Sequence, residues 1–205
     1  MRKLVALVAA VVVASTVAEA TRSARSANVT RLHDISLELV GQLTNSPPGV
    51  TPVTHVHYGY LSYVNGVPAF TAATAGESTA LFTFFAEAAT VRVLVDGPLR
   101  VITRVGKITI YRDPSANGSF DRPDSFRDGT PVMVATFRQQ VVGDTVSNTF
   151  TAFHRDRITS TTPFAAGRGK VQLGDVGKKF EIVLQGHLNM PGPPSGFFAG
   201  HASSR

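Results

Sequence analysis

Between Asp113 and Asp124 the chain spaces its oxygen-bearing side chains as a hard cation would need them. Asp113, Ser115, Asn117, Asp121 and Asp124 occupy positions 1, 3, 5, 9 and 12 of the segment. Gly118 at position 6 permits a sharp turn, and Ser119 at position 7 offers its backbone carbonyl. A calcium ion takes about six to eight oxygens in a flexible shell, so these six residues are the expected ligands of a structural Ca2+. The same residues also suit a polar connection of the Ω type that turns at Asn117-Gly118 with no ion. A second constellation lies upstream in Val53-Thr-His-Val-His-Tyr-Gly-Tyr-Leu-Ser-Tyr-Val64. On a strand, His55 and His57 share one face, a geometry that suits a transition metal, while Tyr58 and Tyr60 share the other. If the tyrosine face points inward, the two phenols line a pocket with a polar tip each. Near the end of the chain Glu181, Gln185 and His187 also share a face, which makes Glu181 a further candidate for contact with a ligand.

The twelve-residue spacing resembles the calcium loop of EF-hands and dockerin-type repeats, where an apolar residue at position 8, here Phe120, anchors the loop. In this chain the flanks read as strands rather than helices, so a bound ion would rigidify a long hairpin loop.

Several chemistries are absent from the sequence. With no cysteine among 205 residues there are no disulfides, no Cys-ligated metals and no thiol nucleophile. The chain contains no G-x-S-x-G, no H-E-x-x-H and no complete phosphate-binding G-x-x-x-x-G-K-[ST]. Catalytic positions therefore stay unknown from the sequence. The formal charge of +6 arises from basic residues scattered singly, such as Arg92, Arg100, Arg104, Lys107 and Arg138. Such spacing suits solvated strand faces, and nucleic acid is not expected as a partner.

The elements that must position these residues read as strands. Ile35, Leu37 and Leu39 alternate with Ser36 and Glu38. The His-Tyr segment runs into Asn65-Gly66, a tight-turn signal, with Val67 to Ala73 expected to return beside it. Runs of β-forming residues follow at Ala80 to Ala86, Thr90 to Val95, Leu99 to Arg104, Lys107 to Arg112, Pro131 to Val142, Val146 to Ser160 and Lys179 to Leu188. Asp96-Gly97-Pro98, Val105-Gly106 and Gly143-Asp144 are the expected turns between neighbours. Leu32 to Leu39 also fits a short helix, and no other segment after the first twenty residues carries a convincing helical period. Many short strands with hairpin links predict an all-β fold, a single antiparallel β-barrel in preference to a β-sandwich, because closure removes exposed edges.

Arg2 and Lys3, the apolar run Leu4 to Ala14 and the Ala18-Glu19-Ala20 site read as a signal peptide over 1–20, cleaved after Ala20. The apolar run is too short to span a bilayer, which takes about 20 residues. The expected organisation is a disordered spacer over 21–31, a barrel domain over 32–190 and an extended C-terminal tail over 191–205. The protein is expected to be secreted, extracellular or periplasmic, without a membrane partner after cleavage, and its oligomeric state is not set by the sequence.

The run of hairpins, together with Thr162-Pro-Phe-Ala-Ala-Gly-Arg-Gly169, resembles the allene oxide cyclase and dirigent group of β-barrels, whose dirigent members carry a Gly-rich, Phe-containing segment. That resemblance implies a barrel that positions a hydrophobic small molecule in its interior for cyclisation or coupling, an isomerase-like role. The competing expectation is a noncatalytic extracellular binding or surface-interaction module, stabilised by calcium. A hollow interior lined by Tyr60 or Glu181 favours the first, and a barrel packed with side chains favours the second.

Overall fold

The computed structural model describes residues 29–189 and 195–204. The expected signal peptide and most of the spacer lie outside the described residues. Eight antiparallel strands close into one barrel. In chain order the strands are β1 (Val29–Leu32), β2 (Ser36–Asn45), β3 (Thr54–Val64), β4 (Phe82–Asp96), β5 (Leu99–Arg112), β6 (Thr130–Asp144), β7 (Thr149–Thr161), β8 (Phe164–Ala166), β9 (Gly169–Leu173), β10 (Lys179–Leu188) and β11 (Gly196–Ser203). The barrel runs β10-β11-β2-β3-β4-β5-β6-β7 and closes from β7 back to β10.

Alternation decides which face is buried. Along β2 Leu37, Leu39 and Leu43 point in, along β10 Phe180, Ile182 and Leu184, and along β4 Phe82, Phe84, Ala86 and Ala88. Polar residues at the intervening positions, among them Arg138, Arg155, Arg157 and Lys179, stand exposed on the outer wall. The interior is filled by Phe82, Phe84, Phe137, Phe150, Phe180 and Phe198 rather than by an empty lumen.

Three sequence expectations are corrected here. Residues 82–96 and 99–112 are two long strands rather than four short ones, and Val105-Gly106 is not a turn. Gly106 faces inward at a point where a Cβ would stand 2.3 Å from the Glu87 carbonyl oxygen and 2.7 Å from Phe137 Cζ. A glycine that looked like a turn residue is there because strands and a phenyl ring approach too closely for any side chain. After Asn65-Gly66 no full strand returns. Only single bridges, Val64 to Val67 and Phe70 to Ala80, tie the connection down. The third correction concerns the chain ends: the strand Val29–Leu32 takes in the last three residues of the expected spacer, and Gly196–Ser203 in the expected tail is the barrel strand between β10 and β2. Phe198 and Ala202 supply its apolar face, a signal split by Gly196 and Gly200.

The two ends of the barrel differ. Strands β1, β9 and β8 form a small separate sheet. Its Phe164, Val171 and Leu173 join the main core, with Phe164 packed edge-on against Phe82 at 5.3 Å between ring centres. This sheet plugs the end where β2 begins and β11 finishes. Among the described residues no second sheet covers the opposite end, where the connections 46–53, 97–98 and 145–148 lie.

Candidate functional site

The tyrosines of β3 face away from the interior. Tyr58 is buried in a satellite cluster with Phe85 and Phe126, against which Tyr60, Tyr111 and Phe120 pack. Its hydroxyl lies 3.3 Å from Gln42 Oε1 and 3.5 Å from Thr44 Oγ1. Tyr60 rests on Phe70 and Phe120, with ring centres 6.1 and 6.3 Å away, and burial with the nearby Glu77 raises its pKa. The two phenols therefore form an aromatic seat on the outer wall, and what sits on it is the loop between β5 and β6. Glu181 is also on the outer wall, exposed, opposite Arg155 on β7 and Ser203 on β11.

The loop is held by its own hydrogen bonds. Buried Asp113 accepts the backbone N–H of Ser115 at 2.9 Å through one carboxylate oxygen and that of Asn117 at 3.3 Å through the other. The Ser119 carbonyl accepts the Arg122 N–H at 2.9 Å and the Ser125 hydroxyl at 3.3 Å. Asn117 donates to Asp128 at 3.1 Å, Asp124 pairs with Arg127 at 2.7 Å, and Asp121 is exposed. Among the described residues no three His, Cys, Asp or Glu side chains are grouped to hold a metal ion.

The polar chemistry lies inside the barrel instead. His55 and His57 on β3, Arg104 on β5, Gln139 on β6, and His154 and Asp156 on β7 are all buried. Each occupies an inward position of its strand, between apolar neighbours such as Ile102 and Ile108 or Ala152 and Ile158. His55 uses both ring nitrogens. Nδ1 donates to Asn45 Oδ1 at 2.6 Å, which leaves Nε2 to accept the Thr90 hydroxyl at 2.7 Å. Arg104 donates to Gln139 Oε1 at 3.4 Å, and Gln139 Nε2 donates to His154 Nε2 at 2.6 Å. That chain puts the remaining proton of neutral His154 on Nδ1.

Several atoms of this cluster have no hydrogen-bond partner: Arg104 Nε, His154 Nδ1, His57 Nε2 and both carboxyl oxygens of Asp156. Burial, reinforced by the Arg104 charge, lowers the pKa of His55 and of His154 to about 3. His57 is lowered well below the usual imidazole value by burial first and Arg104 second. Burial alone raises Asp156 to about 8, so its carboxyl is protonated at neutral pH. Arg104, lowered by burial to about 10, stays charged. It takes part in none of the ion pairs among the described residues. Among the described residues Arg104 is thus the one Lys or Arg that is fully buried, and its polar neighbours in this cluster are neutral.

Comparison with protein families, characterised proteins and solved structures gives no match. The geometry of the chain itself therefore carries the functional reading.

Arg104 lies at the inner wall of a cavity of about 90 Å³ at the unplugged end. Leu43, Ile102, Val141, Phe150 and Leu188 give it apolar walls, and Arg100, Asp144 and Thr145 stand at its rim. A larger depression of about 710 Å³ runs over the outer wall past Val40, Val142, Phe197 and Ala199. It is broad and open, and none of the unpartnered buried atoms belongs to its lining. Two further depressions, of about 560 and 510 Å³, lie around Glu181 and reach His154 and Asp156 respectively. The smaller cavity is the better candidate, because it is more enclosed than these and the buried cation Arg104 stands in its wall.

The sequence reading missed Arg104, Gln139, His154 and Asp156. A signal existed in β7, where Phe150, Ala152, His154, Asp156 and Ile158 follow one another at a period of two. Two polar residues in the middle of an apolar stripe mark a buried polar site.

Proposed function

We propose that this protein is a secreted binding module that takes a small hydrophobic molecule into the unplugged end of its barrel. The observation that carries the reading is the apolar-walled cavity at that end, which reaches the polar cluster of the interior. The phenylalanines below it leave space for the end of a molecule and not for a whole enclosed substrate. At about 30 Å³ for each water in the liquid, the cavity corresponds to about three waters. This favours binding over the enclosed cyclisation chemistry that the allene oxide cyclase and dirigent resemblance implies. The eight-stranded barrel agrees with that resemblance at the level of architecture, which unrelated activities share.

The test is titration with 1-octanol, a neutral apolar probe, followed by calorimetry. Gly143 lines the cavity, and a Cβ built there meets nothing closer than 3.8 Å, so Gly143→Leu fills the space without forcing the backbone apart. Saturable binding to the native chain that Gly143→Leu abolishes supports the reading. Binding unchanged by Gly143→Leu, or no binding at all, contradicts it. Native mass spectrometry of freshly secreted protein adds a second readout, a co-purified apolar ligand.

A further inference from the structure

We infer that the molecule received at the unplugged end is a monocarboxylate on an apolar body, with its carboxylate seated against Arg104. The inference rests on the binding reading above and names its ligand class.

The argument starts from charge. Arg104 is only 7% exposed, keeps Nε unpartnered and has no carboxylate of the chain within ion-pair distance among the described residues. A guanidinium taken out of water loses its hydration, and a lone hydrogen bond of 3.4 Å to Gln139 replaces little of it. An anion delivered from outside would restore the balance.

The identity of the anion follows from the count of charges. The three interior histidines are neutral, as is Asp156, so one positive charge awaits one negative charge. A phosphate dianion would leave a buried negative charge uncompensated, whereas a carboxylate would not. Its two oxygens match the planar fork of a guanidinium, where charge-assisted bonds are strongest. The walls of Leu43, Ile102, Val141, Phe150 and Leu188 require the atoms behind the carboxylate to be apolar. The cavity admits the head group and the first few carbons, and the remainder of a longer chain would emerge between Arg100 and Thr145 at the rim.

Arg100 does not compete for the role of anchor. Its guanidinium is tied to the carbonyls of Gly97 and Leu99 at 2.8 and 3.0 Å and sits at the mouth, where water screens it. Asp144 at the same rim is occupied with the N–H groups of Val146 and Ser147, at 2.7 and 3.3 Å.

The experiment compares octanoate with 1-octanol by calorimetry on the native chain, on Arg104→Met and on Gly143→Leu. The expected result is that the native chain binds octanoate about tenfold or more tightly than octanol. Arg104→Met then loses that preference while still binding octanol, and Gly143→Leu binds neither. Equal affinity of the native chain for the two probes, with both sensitive to Gly143→Leu, overturns the carboxylate inference and leaves the binding reading standing. Failure of both probes to bind overturns both. The comparison on the native chain decides the matter even if a variant does not fold.

Discussion

Gln139 bridges Arg104 and His154 across three neighbouring strands, accepting from the guanidinium at 3.4 Å and donating to the imidazole at 2.6 Å. The amide is thereby fixed in one orientation, with its oxygen toward the cation and its nitrogen toward the ring. The cation gains one long hydrogen bond and no counter-charge, which makes it a cost to the unliganded fold.

Arg104→Met is therefore expected to stabilise the ligand-free protein. Replacing even a buried ion pair or triad by apolar side chains of similar volume is neutral or stabilises by about 1–4 kcal/mol, and Arg104 lacks the partner charge that offsets desolvation in such pairs. Urea denaturation of the native chain and the variant, both stripped of ligand, measures the difference. A variant less stable than the native chain would show that the barrel already satisfies Arg104.

The interior titrating groups set a stability maximum at about pH 7. His55 and His154 are depressed from 6.5 to about 3, and His57 is depressed as well, so each contributes stability that is present above pH 6.5 and lost as the pH falls. Asp156 runs the other way. Raised from 3.8 to about 8, it contributes stability that is present below pH 3.8 and lost as the pH climbs to 8. On the acid side three histidines outweigh one carboxyl, and above about pH 7 Asp156 outweighs what is left of the histidine titration in the unfolded chain. At about 1.4 kcal/mol per pH unit per proton, Asp156 alone takes away about 2 kcal/mol from pH 6.5 to 8, of which the last histidine protons of the unfolded chain return about 1 kcal/mol. Asp156→Asn should flatten that alkaline limb and leave the acid limb in place, as read from denaturation curves over pH 4 to 9.

The loop between β5 and β6 depends on Asp113 as a backbone acceptor. Asp113→Ala leaves the N–H groups of Ser115 and Asn117 without it and should cost about 2 kcal/mol. The same variant tests the calcium expectation. A melting temperature that falls on chelation in the native chain, but not in Asp113→Ala, supports an ion in the loop. A melting curve indifferent to chelator gives Asp113 its hydrogen-bonding role alone.

Phe126 holds that loop on the barrel. It is fully buried, with its ring 5.8 Å from Tyr58 and 5.0 Å from Phe120. Phe126→Ala should cost about 3–5 kcal/mol. Tyr58→Phe removes only a hydroxyl with long contacts and should cost less than about 1 kcal/mol. Hydrogen exchange at the Ser119 and Ser125 amides would show the loop opening in the first variant and staying closed in the second.

The period of two in β2, β3, β6, β7 and β10 made the all-β fold and the barrel legible, because one oily face per strand needs a common interior. Glycine obscured what was missed. At Gly106 a close strand contact looked like a turn, and in β11 Gly196 and Gly200 thinned an apolar stripe until it looked like a tail. The short strands β8 and β9 owe their pairing to the barrel end they cover, a tertiary cause that three to five residues do not announce. The candidate site was hidden for a related reason. Arg100 and Arg104 alternate with Val101 and Val105, so the polar set looked like the wet face, yet Arg104 points inward and Val105 is exposed. Likewise the face of β3 carrying Tyr58 and Tyr60 could be told from that of His55 and His57, but which of them turned inward depended on closure of the whole barrel.

The most direct measurement is the side-chain Nε–H signal of Arg104 in a protein labelled with ¹⁵N-arginine, assigned by its loss in Arg104→Met and followed through titrations with octanoate and with 1-octanol. The account predicts that octanoate shifts this signal markedly and saturably while octanol leaves it nearly unmoved. An Arg104 signal indifferent to octanoate, while resonances of the outer wall shift, would contradict it.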